Sequence, residues 1–372
     1  MPRVTAETTV TDAWDFAVEL RSDPATAEAR AKVLAKPAFG QEFTDHMVMA
    51  NWTAERGWYD PKVTAYAPIT VSPAAAVLHY SQEIFEGLKA YRGPDGSVAT
   101  FRPEMNARRF QRSAYRLGMP ELPVETFIEA CDVLVQQDKE WVPAHGGEDS
   151  LYLRPFMIAT EVGLGVKPAN EYLFLVIASP AGAYFRGGVK PVSIWLSEDR
   201  VRAVPGGMGD AKTGGNYAAS LLAQAEAAAK GCDQVCYLDA VEHKWVEELG
   251  GMNLYFVYGD KIVTPSLTGS ILEGVTRDSL LTVARDLGYE SEEGRVSVDQ
   301  WQRDAENGTL TEVFACGTAA VITPIGTVKR EGTEWQQSGG GPGEVTLKLR
   351  EALLDIQRGT AEDRHGWMHQ LG

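Results

Sequence analysis

No run of about 18 apolar residues occurs in the 372-residue chain, so no segment reads as a membrane-spanning helix. Cysteine is scarce, with Cys131, Cys232, Cys236 and Cys316 the four present. Cys232 and Cys236 stand close together, but no histidine lies near them to complete a zinc set. Free buried thiols in a reducing cytosol are the expectation. The six histidines are scattered without ligand spacing, and no metal is expected. Basic excess is absent as well. The net charge is −16, spread along the chain, which disfavours nucleic acid and anionic membrane as partners. The first residues, rich in Thr, Asp and Glu, have neither the basic nor the apolar region of a secretory signal, and a cytoplasmic location is expected. Repeats and low-complexity tracts are missing.

What remains is an ordinary globular composition, 44% apolar and 23% charged, in a chain long enough for two domains with proper cores. After a polar leader over residues 1–37 with a short helix at 25–36, strands are expected at 43–52, 63–69, 85–91 and 98–101. The last two are joined by the hairpin turn Arg92-Gly93-Pro94-Asp95-Gly96. Helical spacing covers 103–117 and 124–142, and strands follow at 151–159 and 172–179. Beyond residue 192 helix and strand alternate, with helices at 216–230, 277–287, 298–304 and 344–358. These readings predict an α/β protein with a smaller domain over 1–185, a linker at 186–199 and a larger domain over 200–372.

The most informative stretch is Gly206-Gly207-Met208-Gly209-Asp210-Ala211-Lys212-Thr213-Gly214-Gly215-Asn216-Tyr217. Glycine lets backbone pass close to a ligand. A lysine kept from bulk water there can lose its proton and attack a carbonyl. A P-loop is a second reading, but Ala211 replaces its second glycine and Gly214-Gly215 is expected to interrupt the helix that the lysine should open. An exposed surface turn is the plain alternative.

Three further segments carry chemistry. Glu247-Glu248-Leu249-Gly250-Gly251 is either a charged turn or a carboxylate beside a pyridine nitrogen, which keeps that ring protonated and electron-withdrawing. Ile271-Leu272-Glu273-Gly274-Val275-Thr276-Arg277 opens a helix whose amides can hold phosphate, or is an ordinary cap with Thr276 as the capping oxygen. The strand through Phe314 ends in Cys316-Gly317-Thr318-Ala319-Ala320, a small-residue turn that can present amides and a hydroxyl to an anion.

In this order the segments resemble the branched-chain amino-acid aminotransferases, in the D-amino-acid-aminotransferase-like group of pyridoxal-phosphate enzymes. The likeness runs through nearly the whole chain. It includes Phe39-Gly40 to Met47, His79-Tyr80-Ser81 to Phe85-Glu86-Gly87-Leu88-Lys89-Ala90, Tyr152-Leu153-Arg154-Pro155, Pro205 to Tyr217, Glu248 to Asn253 and Leu272 to Arg277. The resemblance implies a two-domain fold type IV with the cofactor, pyridoxal 5'-phosphate, in an interdomain cleft, and a homodimer. It implies Lys212 as the Schiff-base lysine and proton shuttle. Glu248 would face the pyridine nitrogen and Tyr217 the phenolic oxygen. Arg109, Val275, Thr276 and Thr318 would hold the phosphate. Phe39, Tyr80, Tyr152 and Arg154 match substrate-side positions, and the Thr318 and Ala319 amides are candidates for the α-carboxylate.

Tyr152 and Arg154 flank Leu153 and so share a strand face. An arginine there can meet a glutamate side chain while apolar walls hold leucine, isoleucine or valine, so amino acids and 2-oxo acids are the expected small-molecule partners. Some members of the family carry a redox Cys-x-x-Cys after the turn; Ala320 and Thr323 stand there in this chain, so thiol control of that kind is not expected. A D-amino-acid aminotransferase or lyase on the same fold, a P-loop hydrolase and a non-catalytic binding protein are the competing readings.

Overall fold

The computed structural model describes residues 14–183 and 189–371, and its backbone divides between two nine-stranded sheets. The first sheet is ordered Ala17–Val18, Gly57–Ala65, His46–Thr53, Glu171–Ala181, Ser150–Ala159, Leu88–Arg92, Val98–Phe101 and Met368–Gln370, with the short strand Glu83–Phe85 paired beside Ser150–Ala159. Ser150–Ala159 and Glu171–Ala181 form an unbroken antiparallel pair at its centre. Helices Pro103–Arg116 and Val124–Gln137 cover one face, where Phe110 and Phe127 meet Phe174 of the central strand. The opposite face carries Met47, Leu173 and Leu175, with Phe156, Ile158 and Ile177 only partly covered.

The second sheet is ordered Val246–Leu249, Gln234–Leu238, Val192–Ser197, Val321–Arg330, Glu312–Gly317, Asn253–Tyr258, Lys261–Pro265 and Glu290–Gly294, with Thr333–Gln336 beside Val321–Arg330. Glu248 also pairs with Asn253, so the first strand of this order returns to the sixth and the sheet curls toward a barrel. One core packs Trp301 edge-on against Phe256 and Trp335. On the other side, helices Val275–Asp286 and Glu344–Gln357 bury Leu280, Leu281, Leu349 and Leu353.

Several elements differ from the sequence expectation, each for a local reason. The helix expected over 124–142 stops at Gln137, because Asp138 turns away to bind His46 through its backbone N–H at 2.9 Å and its Nδ1 at 2.7 Å. A 3-10 turn, Lys139–Trp141, follows, and the Trp141 indole donates to Asp45 at 2.7 Å. The helix expected from residue 216 already begins at Gly214, so the two glycines open it rather than interrupt it. The strand Val192–Ser197 forms where the alternation of helix and strand is expected to begin, inside the C-terminal side of the expected linker, of which residues 186–188 fall outside the described residues. The last strand, Met368–Gln370, crosses back to pair with Val98–Phe101 of the first sheet. The four cysteines are all buried and free. Among the described residues no helix is long and apolar enough to cross a membrane.

Candidate active site

Where the ends of the two sheets meet, a cleft of about 210 Å³ opens. The first half of the chain supplies Phe39, Phe85, Arg109, Tyr152 and Arg154 to its wall; the second supplies Lys212, Tyr217, Glu248 and two backbone turns.

Lys212 lies in the extended stretch just before helix Gly214–Ala229. Its N–H donates to the Ser113 hydroxyl at 2.9 Å and its carbonyl accepts from the Phe85 N–H at 3.0 Å, so both faces of its peptide are held by the first half of the chain. Its Nζ donates to the Tyr217 hydroxyl at 2.9 Å, with the Phe85 and Tyr217 rings 4.8 and 5.3 Å away. The preceding glycines serve close packing. A Cβ on Gly209 would overlap the Ser270 carbonyl, and Asn216 ties the loop to the Met208 and Ala211 carbonyls at 2.8 and 2.9 Å.

Glu248 sits inside a strand, not a charged turn, and is 2% exposed. Its Oε1 accepts from the Leu272 N–H at 2.8 Å and pairs with Arg202 Nη1 at 2.9 Å; Oε2 accepts from Asn253 at 3.2 Å. Burial pushes its carboxyl up to about 7 against the pull of Arg202. Arg202 also reaches the Ser270 and Gly209 carbonyls at 2.9 and 3.3 Å, so one guanidinium joins the carboxylate to the lysine loop.

At the far end Arg109 is fixed by Glu86, which accepts from Nε at 2.7 Å and from Nη2 at 2.8 Å, while Nη1 donates to the Glu273 carbonyl at 2.9 Å. Burial raises the Glu86 carboxyl, but the Arg109 charge and hydrogen bonds, with Asn106, hold it below its ordinary value. Beside Arg109, helix Val275–Asp286 begins. Its N-cap is Gly274, with no side chain satisfying the first amides, so Thr276 does not cap the helix; Val275 and Thr276 line the cleft. Thr318 and Ala319 line it from the turn after Glu312–Gly317.

On the remaining wall the Tyr152 ring meets Phe39 edge-on at 4.8 Å, and Arg154 donates to the Tyr152 hydroxyl at 3.2 Å and to the Glu86 carbonyl at 3.0 Å. Tyr80 is the sequence-expected site residue that this chain's own cleft does not include. It ends helix Ala76–Tyr80, is 39% exposed, and donates its hydroxyl to the Leu164 carbonyl. Cys316 also lines the cleft, but burial pushes its thiol up to about 12, which disfavours the nucleophilic thiolate.

The donor set has a direction. An arginine, an uncapped helix start and a small-residue turn make one end selective for a doubly charged anion. A primary amine and a phenol occupy the middle, and a buried carboxylate closes the other end. A flat molecule with a phosphate, a carbonyl-type carbon and a ring nitrogen fits that order; pyridoxal 5'-phosphate is such a molecule.

Comparison with known sequences and structures agrees. The model of the amino-transferase class IV family matches residues 83–328, which defines the chain's class. A probable branched-chain-amino-acid aminotransferase of Streptomyces coelicolor is 80% identical over 95% of this chain and 98% of its own length, and the Mycolicibacterium smegmatis branched-chain-amino-acid aminotransferase is 59% identical over 96% and 98%. A crystal structure of the branched-chain amino acid aminotransferase from Thermobaculum terrenum, in its PLP-bound holo-form, superposes with a TM-score of 0.72 at 27% identity, over 89% of this chain and 100% of that one. The chain belongs to the branched-chain-amino-acid aminotransferases.

Proposed function

We propose that the chain moves an amino group reversibly between L-leucine, L-isoleucine or L-valine and 2-oxoglutarate, with pyridoxal 5'-phosphate held in the cleft just described. The observation that carries this reading is the line from Arg109 through Lys212 to Glu248, with the Lys212 amine 2.9 Å from the Tyr217 hydroxyl. The cofactor supplies a carbon that joins to amines and a ring that draws electrons from them. Arg109, the Val275 and Thr276 amides and Thr318 bind its phosphate. Glu248 holds a proton at the ring nitrogen. Tyr217 hydrogen-bonds the phenolic oxygen. Lys212 would anchor the cofactor and would move the proton at the amino-acid α-carbon. The Thr318 and Ala319 amides hold the α-carboxylate. Arg154 meets the glutamate side chain, and Phe39, Phe85 and Tyr152 exclude water around an apolar branch.

Apart from the returning strand Met368–Gln370, the first sheet is built from 17–181 and the second from 192–336, which supports a boundary between them that overlaps the expected 186–199 linker. A homodimer is supported by the exposed apolar side chains Phe39, Val162, Leu164 and Val166, with Tyr80 beside Leu164. Four free, buried thiols support a reducing, cytoplasmic setting. The experiment is the visible spectrum of the purified protein before and after L-leucine, repeated on Lys212→Ala. The reading expects a bound chromophore that bleaches on leucine addition, in wild type only. Turnover by Lys212→Ala at the wild-type rate refutes it.

A further inference from the structure

The helix that follows Lys212 begins without a cap of its own. Its N-cap residue, Thr213, is of a type that usually bonds the amides ahead of it, yet makes no such bond. The acceptor comes from the other half of the chain. Glu83, on strand Glu83–Phe85, takes the Gly214 N–H on Oε1, and the Thr213 hydroxyl lies 3.5 Å from the same oxygen. Two residues on, the Phe85 N–H donates to the Lys212 carbonyl at 3.0 Å. One short strand therefore grips residues 212 to 214 at both ends. Gly214 is required for this approach, since a Cβ there would overlap the Glu83 carboxylate.

We propose that Glu83 is a positioning residue for Lys212, fixing the start of the helix and with it the direction from which the lysine amine enters the cleft. A carboxylate at a helix N-terminus meets both an unsatisfied amide and the positive end of the helix dipole. Arg154, on the neighbouring strand Ser150–Ala159, is the cation facing Glu83; burial raises the Glu83 carboxyl, while Gly214, Thr213 and Arg154 oppose that rise. The inference rests on Lys212 being the reacting amine, so Lys212→Ala is carried as a control.

The test compares wild type, Glu83→Gln and Glu83→Ala in two measurements. One is the rate at which added pyridoxal 5'-phosphate becomes borohydride-trappable on the apoenzyme. The other is kcat and KM for L-leucine, with melting curves alongside. Gln keeps a carbonyl oxygen for the Gly214 amide; Ala does not. Expected are losses of about tenfold in trapping rate and kcat for Glu83→Ala, with KM within about twofold and most of the loss restored in Glu83→Gln. Wild-type trapping and kcat in Glu83→Ala overturn the proposal. So do equal losses in the Gln and Ala variants, which would make the charge beside Arg154 the cause. If Lys212→Ala still traps cofactor at the wild-type rate, the assignment of Lys212 itself has failed, an outcome distinct from either of these.

Discussion

Glu86 and Arg109 form a buried two-bond pair, with the Glu86 side chain fully enclosed and the Arg109 side chain 4% exposed. Arg109 thus reaches the cleft as a braced charge, not as a mobile helix arginine. In its proposed role, replacing it by Ala would remove a charge-assisted contact to phosphate, worth about 1.5–3 kcal/mol in cofactor affinity. It also strands the Glu86 carboxylate, and breaking a buried pair costs about 3–5 kcal/mol of stability. Arg109→Ala should therefore lower the melting temperature of the apoenzyme as well as cofactor affinity by equilibrium dialysis. Glu86→Ala should do the same although Glu86 does not line the cleft. An unchanged melting curve in both would show that the pair does not brace the site.

That pair also marks what the sequence made legible. Lys212 and Glu248 lie in short motifs whose residue types announce their chemistry; Arg109 and Tyr217 are recognised only through the family resemblance; all four converge on one cleft. Their supports do not. Ser113 lies 99 residues from Lys212, and Glu83 lies 131 residues from Gly214. Arg202 holds Glu248 from a stretch with no pattern of its own. Such partners are chosen by the packing of two sheets, which local spacing does not encode. The same cause explains why Gly214-Gly215 reads as a helix breaker: a glycine-led helix needs an outside acceptor, and that acceptor belongs to a distant strand. Tyr80 shares its motif with the cleft residues, yet its helix ends before the strand that enters the cleft.

Glu248 predicts a pH effect with a definite sign. Its folded value, about 7, stands above its ordinary 4.5. Between those values the native apoenzyme keeps a proton that the unfolded chain has released, so this contribution to stability is complete below 4.5 and lost as pH rises toward 7. Glu248→Gln has no such proton. The wild-type apoenzyme should lose stability relative to the variant by up to about 1.4 kcal/mol per pH unit in that window, measured by denaturant melts at several pH values. Parallel curves would show an ordinary carboxyl. The loaded variant should also be slower by about 10²-fold in single turnover with L-leucine.

Gly87 tests how closely the substrate wall is packed. A Cβ there would overlap the Tyr152 hydroxyl. Gly87→Ala must displace that ring, which packs on Phe39 at 4.8 Å, and disturb the hydrogen bond from Arg154 to its hydroxyl. Displacement by about 1 Å near reacting groups costs on the order of 10²-fold. The expected result is a fall in kcat/KM for both leucine and glutamate, with cofactor affinity nearly unchanged. Equal loss of cofactor affinity would move the effect to the phosphate end, where Arg109 and helix Val275–Asp286 lie.

Arg154→Leu should separate the two half-reactions. One pocket must accept an apolar branch and a side-chain carboxylate on amino acids whose α-carbons react alike. Arg154 lies against the Phe85 and Tyr152 rings, at 4.8 and 5.5 Å, and its hydrogen bonds to the Tyr152 hydroxyl and the Glu86 carbonyl fix the guanidinium at the wall. A glutamate side chain can reach that charge, whereas a leucine branch stays among the rings. Removing the charge deletes an ion pair for glutamate worth about 2–5 kcal/mol if water is excluded from it, and leaves an apolar surface that leucine tolerates. A purely structural arginine would instead lower kcat/KM for both substrates together with the melting temperature. Measuring each half-reaction separately, beside a melting curve, decides between them. Equal losses for leucine and glutamate would remove Arg154 from the selection of substrate.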